Sequence, residues 1–105
     1  MMISKDGRLK VGDMVSHFKR DSYLENVTVS GADIVDNMYL YTIVAFASHT
    51  ETKEELVVYQ ALYLKDGEYK VYCRPYDMFM SEVDKEKYPN AKQTYRLEKY
   101  NGEIK

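Results

Sequence analysis

Arg74 stands directly before Pro75 in the segment VYCRP, and its chemistry suits anion binding. A guanidinium can make two parallel hydrogen bonds to a carboxylate or phosphate, and neighbouring tyrosine rings could hold its plane. An internal salt bridge to Glu51 or Glu55 would explain the same residue without a ligand, and structural pairing is the commoner role of arginine. Arg74 is therefore a candidate ligand-binding residue with a structural alternative.

His49 and Glu51 are two residues apart, so an extended backbone places both side chains on one face. In that arrangement they could transfer protons as an acid–base pair, as in a small hydrolase or transferase. The alternative is that both residues simply decorate a polar turn. Ordinary loop composition favours the turn.

Metal binding by His17, His49, Glu51 and Cys73 would require the fold to gather these residues, because the chain has no local ligand spacing such as C-x-x-C or H-E-x-x-H. No glycine-rich phosphate loop, nucleophilic serine elbow or nucleotide fingerprint occurs either. We therefore expect no metal and no cofactor.

Tyrosine is unusually frequent, with 11 copies beside 3 phenylalanines and no tryptophan. It suits half-buried strand positions, where the ring packs and the hydroxyl reaches water or a partner. Four tyrosines could form a platform for a base or an extended peptide, or could simply pack in the core. These are Tyr59, Tyr63, Tyr72 and Tyr76.

Alternating side-chain patterns predict the strands that must position these residues. The predicted strands are residues 14–19, 38–47, 55–64, 69–74 and 94–100. In the first of them, His17 and Lys19 would share one face. The second is apolar on both faces and should be central. A helix is the alternative for the third, because Glu, Leu, Gln and Ala favour helices.

Three further segments connect these strands. Residues 65–68 read as a tight hairpin turn, because Gly67 can adopt positive φ. Pro75 should end its strand, after which residues 76–80 form a short helical turn. Residues 81–92 are charged and read as a surface loop. For residues 20–37 the sequence leaves two alternatives, an extra strand or a short turn of helix.

These elements predict one mainly β domain over residues 1–105, with residues 1–8 and 101–105 as loose ends. Five or six short antiparallel strands are enough for a small SH3-like barrel with a short helical turn. A small α+β sheet is the alternative. Hydrophobic residues make up 45% and charged residues 30% of the chain, which is ordinary for a globular protein.

The net charge of −2 gives no global attraction for nucleic acid or an anionic membrane. A single cysteine excludes an internal disulfide and fits a reducing cytoplasm. Cys73 falls within a predicted strand, so we expect a small core residue rather than a nucleophile. The chain has no signal-peptide pattern and no apolar run of about 18 residues, so we expect a cytoplasmic protein.

Three segments resemble the small bacterial DUF1653 domain, a family without an established activity. They are VGDMVSHFK (11–19), YTIVAFASHTETKEELVVYQALYL (41–64) and VYCRPYDMF (71–79). The polar pattern of the family falls on His17, Phe18, Lys19, His49, Glu51, Thr52, Tyr59, Gln60, Tyr63, Arg74 and Pro75, followed by Met78 and Phe79. The chain departs from the pattern at Arg20, Lys53 and Tyr72, and residues 21–37 look like an insertion.

The first functional hypothesis is a binding module for a small anionic or peptidic ligand. Its pocket would be floored by Tyr59 and Tyr63 and would present Arg74 with basic residues. The candidate basic residues are His17, Lys19 and His49. An enzyme using His49 and Glu51 is one alternative, and a protein- or nucleic-acid-interaction module using the tyrosine face is another. We expect no membrane partner, and the acidic net charge disfavours nucleic acid.

Overall fold

The computed structural model describes residues 1–31 and 33–105, in which five antiparallel strands form one sheet with two helices. In chain order the elements are β1 (Met14–His17), α1 (Lys19–Ser30), β2 (Leu40–Ser48), β3 (Glu55–Ala61), β4 (Val71–Pro75), α2 (Tyr76–Met80) and β5 (Leu97–Lys99). The predicted mainly β class is confirmed. Among the described residues, no helix is long and apolar enough to cross a membrane.

The strand order is β4-β3-β2-β1-β5, with every neighbouring pair antiparallel. The long central strands carry the pattern that predicted them, since β2 and β3 are dense in β-branched and aromatic residues. The described ladders leave β4 and β5 as the two edges. Closure into an SH3-like barrel therefore stays a prediction.

The hairpin between β3 and β4 turns at residues 65–68, as predicted. Lys65 and Glu68 exchange both backbone hydrogen bonds, at 2.9 and 3.1 Å. Asp66 and Gly67 have φ values of 53° and 79°, which is the left-handed pair that a tight two-residue hairpin loop requires. This turn sets the register in which Tyr59 pairs with Tyr72.

The segment for which the sequence leaves strand and helix as alternatives begins with a helix. Helix α1 covers Lys19–Ser30 and ends at Gly31, which adopts φ 71° and donates its N–H to the carbonyl of Val27. Strand β1 consequently stops at His17, and Lys19 is the first residue of the helix. The prediction that His17 and Lys19 share a strand face is wrong, because the chain changes from strand to helix between them.

The register of β4 decides which of its side chains face inward. Cross-strand partners share a face, so Arg74 lies on the face of its partner Val57, which is buried. Cys73 pairs with Val58 on the opposite face and is exposed. The prediction of a core Cys73 is therefore wrong, and Arg74 takes the inward position that the cysteine was expected to fill.

One face of the sheet holds the core, and α2 packs against one end of it. Phe79 is fully buried, and its ring centre lies 5.1 Å from that of Tyr59. The N-terminal residues also contact this end: Ser4 is buried, and the Lys5 N–H donates to the Tyr76 hydroxyl at 2.8 Å. Tyr59 is thus supported from behind while its other side faces the site described next.

Candidate functional site

Four cationic side chains from different parts of the chain line one pocket of about 260 Å³, the cationic pocket. Lys19 begins α1, Arg74 lies on β4, and Lys87 lies in the loop before β5. Arg96 occupies the bend directly before Leu97, the first residue of β5. The complete lining is His17, Phe18, Lys19, Arg74, Asp84, Lys87, Tyr88 and Arg96.

A second space of about 200 Å³, the inner pocket, continues from the cationic pocket over the tyrosine core. The two share three residues, His17, Lys19 and Arg74. The inner pocket is completed by Tyr39, Tyr41, Tyr59 and Leu97. Four predicted site residues, His17, Lys19, Tyr59 and Arg74, therefore lie around one space.

Positive charge outweighs negative charge in the cationic pocket. Among its lining residues, Asp84 is the single carboxylate, and its Oδ1 accepts the backbone N–H groups of Glu86 and Lys87 at 3.0 and 3.3 Å. Four cations thus face one carboxylate that is already used in a loop turn. The local field is positive although the chain as a whole carries −2.

Arg74 makes no salt bridge within the described part of the chain, so the structural alternative for this residue is not found. Glu55, one of its two suggested partners, pairs instead with Lys5, with Oε2 and Nζ 2.8 Å apart. Arg96 is similarly unsatisfied, since its Nε is buried and has no hydrogen-bond partner among the described residues. Neither guanidinium forms an ion pair with a carboxylate within the described part of the chain, so both could pair with an external anion.

The protonation state of His17 follows from its contacts. Its Nδ1 accepts the backbone N–H of Lys19 at 3.1 Å, so Nδ1 carries no proton and the neutral ring is protonated on Nε2. Burial, and then the charges of Arg74, Lys19 and Arg96, lower its pKa from 6.5 to about 4. Near neutral pH, His17 is a neutral hydrogen-bond donor beside three cations.

Replacing Arg74 by glutamine should raise the pKa of His17. Among the neighbouring charges, the arginine disfavours the imidazolium most, so its removal makes protonation easier, while burial continues to hold the pKa below its ordinary value. The measurement is the pH titration of the His17 ring resonances by NMR in both proteins. An unchanged titration curve would mean that the Arg74 guanidinium does not affect the pKa of the His17 ring.

The tyrosines beneath the pockets form a connected group. The hydroxyls of Tyr41 and Tyr63 are 3.0 Å apart, and the Tyr59 ring meets that of Tyr41 edge to face at 5.2 Å. Burial raises the pKa of Tyr59, an effect that Arg74 partly opposes. Tyr63 lies behind Tyr41 and lines a separate space beside Asn37, so it supports the inner pocket without lining it.

His49 and Glu51 lie elsewhere. Both are exposed in the turn after β2, at the opposite end of that strand from Tyr41 and roughly 20–25 Å along it. The Nδ1 of His49 accepts the N–H groups of Glu51 and Thr52 at 3.2 and 3.3 Å. The histidine therefore caps the turn, which is the structural alternative for this pair.

Lys87, Tyr88 and Arg96 were not among the predicted site residues. Strand alternation would place Arg96 on the face opposite Leu97, away from His17, but β5 begins only at Leu97 and Arg96 precedes it in a bend. The loop carrying Lys87 and Tyr88 has no regular pattern to read. Only the concentration of basic and aromatic residues over 85–96 could have suggested it.

No group of three or more His, Cys, Asp or Glu side chains is placed to hold a metal ion in residues 1–31 and 33–105. The site chemistry of these residues is that of an anion receptor, with guanidinium, ammonium, imidazole N–H and phenol donors around small spaces.

Residues 13–99 match the family of proteins of unknown function designated DUF1653. The chain belongs to the DUF1653 family. No curated protein matches the chain, and no solved structure does. The DUF1653 match includes β1 to β5 and therefore both pockets, but it brings no activity with it.

Proposed function

We propose that this DUF1653 protein is a binding module for a small anionic ligand held between Arg74 and Arg96. The observation that carries the proposal is the convergence of unpaired guanidinium groups from both edge regions of the sheet on the cationic pocket. Arg74 and Arg96 are both half-buried. Holding positive groups close together without partners costs stability, and an anion that accepts their hydrogen bonds would offset that cost.

The size of the spaces supports a small ligand group. Spaces of about 200 and 260 Å³ lie below the usual range for drug-sized ligands, roughly 300–1,000 Å³, and suit a carboxylate, sulfate or phosphate group. The N–H of His17 Nε2 adds a neutral donor, and the Tyr59 ring forms part of the floor. A peptide could enter by its carboxylate, but the pockets themselves select the anionic group.

Proton-transfer catalysis has less support. A general base needs a free lone pair within reach of a substrate, but Nδ1 of His17 and Nδ1 of His49 both accept backbone N–H groups. The low pKa of His17 also makes it a weak base. The enzyme hypothesis that used His49 and Glu51 places its residues on an exposed turn remote from both pockets.

The proposal is tested by titrating the full chain with sulfate at low ionic strength in a calorimeter. Arg74→Gln should weaken sulfate binding by at least about tenfold, since charge-assisted hydrogen bonds contribute about 1.5–3 kcal/mol. Its free energy of unfolding should be unchanged or higher, because the substitution relieves repulsion within the cationic pocket.

The matched control is Lys53→Gln, which removes one positive charge from the exposed turn after β2. It should leave sulfate affinity within about twofold of the wild type, because screening removes effects of a distant surface charge. If Arg74→Gln binds sulfate as the wild type does, or if it destabilises the fold like a lost salt bridge, the binding-module proposal fails.

We also propose that the protein works in the reducing cytoplasm. Cys73 is the only cysteine in the chain, and it is exposed as a free thiol. A thiol in that position oxidises readily outside a reducing compartment. Fractionation of the producing cells with an antibody against the chain would test the location, and recovery outside the cytoplasm would contradict it.

A further inference from the structure

A cavity of about 500 Å³ opens beside the cationic pocket and is rich in aromatic rings; we call it the aromatic pocket. Its walls are the first half of α1 and the loop before β5. Tyr88 meets Phe18 edge to face, with ring centres 4.9 Å apart, and Tyr23 meets Tyr39 in the same way at 6.0 Å. Two pairs of rings thus border a space large enough for one more ring.

The aromatic pocket and the cationic pocket are continuous. They share Phe18, Lys19, Lys87 and Tyr88 as lining residues. The ammonium groups of Lys19 and Lys87 lie 5.8 and 5.5 Å from the centre of the Tyr88 ring. One ligand can therefore place a ring in the aromatic pocket and an anionic group between Arg74 and Arg96.

Polar side chains distinguish the aromatic pocket from a purely apolar slot. Asn26 of α1 and Asn90 of the loop both line it, and each amide offers donors and an acceptor. Neither side chain makes a hydrogen bond within the described part of the chain. Such groups can recognise the edge of a nitrogen heterocycle, whereas a plain phenyl ring gives them no partner.

We infer that the ligand is a nucleoside monophosphate, with its base in the aromatic pocket and its phosphate in the cationic pocket. This inference rests on the proposed function, because it assigns the anionic group to the same arginines. The size of the aromatic pocket, its ring pairs and its two amides select a heteroaromatic ring. The shared lining residues let one molecule place its ring in the aromatic pocket and its phosphate in the cationic pocket.

The experiment compares adenosine monophosphate, inorganic phosphate, adenosine and phenyl phosphate as ligands of the full chain. Adenosine monophosphate should bind at least about tenfold more tightly than each of the others, since stacking on aromatic side chains adds about that much per base. Phenyl phosphate that binds as tightly as the nucleotide would overturn the inference, because its ring has no edge for the amides.

Variants separate the two parts of the site. Asn26→Ala should weaken nucleotide binding by about fivefold or more and leave phosphate affinity within about twofold, because Asn26 lines the aromatic pocket and not the cationic pocket. Asn101→Ala, the same amide deletion in the exposed C-terminal segment, should change neither affinity. Arg74→Gln should lower the affinity for both the nucleotide and phosphate.

Two results would count against the inference in different ways. If phosphate binds through Arg74 but the nucleotide binds no more tightly than phosphate, the nucleotide inference fails and the anion site stands. If no anionic probe binds at all, the inference and the proposed function fail together.

Discussion

Replacing Phe79 by alanine will lower the free energy of unfolding by about 3–5 kcal/mol, the range for deleting a buried phenyl ring. Phe79 is fully buried, and its ring packs against Tyr59 on the core face of the sheet. It anchors α2, which has only five residues and cannot be stable as an isolated helix. Because small domains are stable by about 5–15 kcal/mol, the variant should be close to unfolding.

The neighbouring residue provides the matched control. Met78 belongs to the same helix but is 48% exposed, so Met78→Ala should change stability by no more than about 0.5 kcal/mol. Urea denaturation followed by circular dichroism measures both proteins. If the two variants lose similar stability, α2 is held by its backbone and not by the Phe79 ring.

Strands with clear alternation were predictable because local pattern and tertiary burial agree in them. In β3, the buried residues Val57, Tyr59 and Ala61 recur at every second position. The turn at Asp66 and Gly67 was predictable for a similar reason, since its conformation depends on residue type alone. The central hairpin could therefore be predicted before its partners were known.

Helix α1 left a weaker signal. Of its described residues, Val27 is the one that is buried, so the segment lacks the apolar stripe of an amphipathic helix. Its first turn gains a contact that no pattern reveals, the acceptance of the Lys19 N–H by Nδ1 of His17. For this reason the sequence did not decide between a short turn of helix and an extra strand for residues 20–37.

The edge strand β4 shows why the face of a residue is harder to predict than its strand. Val71, Tyr72 and Cys73 are all acceptable strand residues on either face, so the sequence of β4 alone does not choose between two registers. Pairing with β3 fixes the register, which turns Cys73 outward and Arg74 inward. A shift of one residue would reverse both.

The candidate site combines short-range and long-range information. Arg74 could be nominated because it ends a predicted strand beside a proline, and His17 because it falls on the polar pattern of the DUF1653 family. Arg96 and Tyr88 could not, because a bend and an irregular loop bring them to the pocket. His49 was nominated by its two-residue spacing from Glu51 and by the family pattern, and its position at the far end of β2 separates it from the others.

Sulfate affinity will rise by about tenfold when the pH falls from about 7 to about 5. In the free protein, His17 stays neutral down to a pKa of about 4, because burial and three cations disfavour its charged form. A bound sulfate dianion adds negative charge beside the ring and raises that pKa. Binding therefore takes up a proton, and affinity increases as protons become more available. Sulfate suits the measurement because its own charge is constant over this range.

Without a ligand, the free energy of unfolding changes with pH in the opposite direction and decreases as the pH falls. An unfolded chain protonates His17 near pH 6.5 and the folded chain only near pH 4, so the stability associated with the neutral ring is lost as the pH falls between these values. Sulfate should reduce this loss. Falling pH thus weakens the free fold and strengthens the complex, a combination that a purely structural histidine would not produce.

His17→Asn isolates the residue responsible. The Oδ1 of asparagine can take the place of Nδ1 as acceptor for the Lys19 N–H, so the start of α1 is kept while the titrating group is removed. Sulfate binding by this variant should be nearly independent of pH, whereas His49→Asn should retain the wild-type dependence. Calorimetry at several pH values measures both. If His17→Asn keeps the pH dependence, the proton is taken up elsewhere and His17 does not face the bound anion.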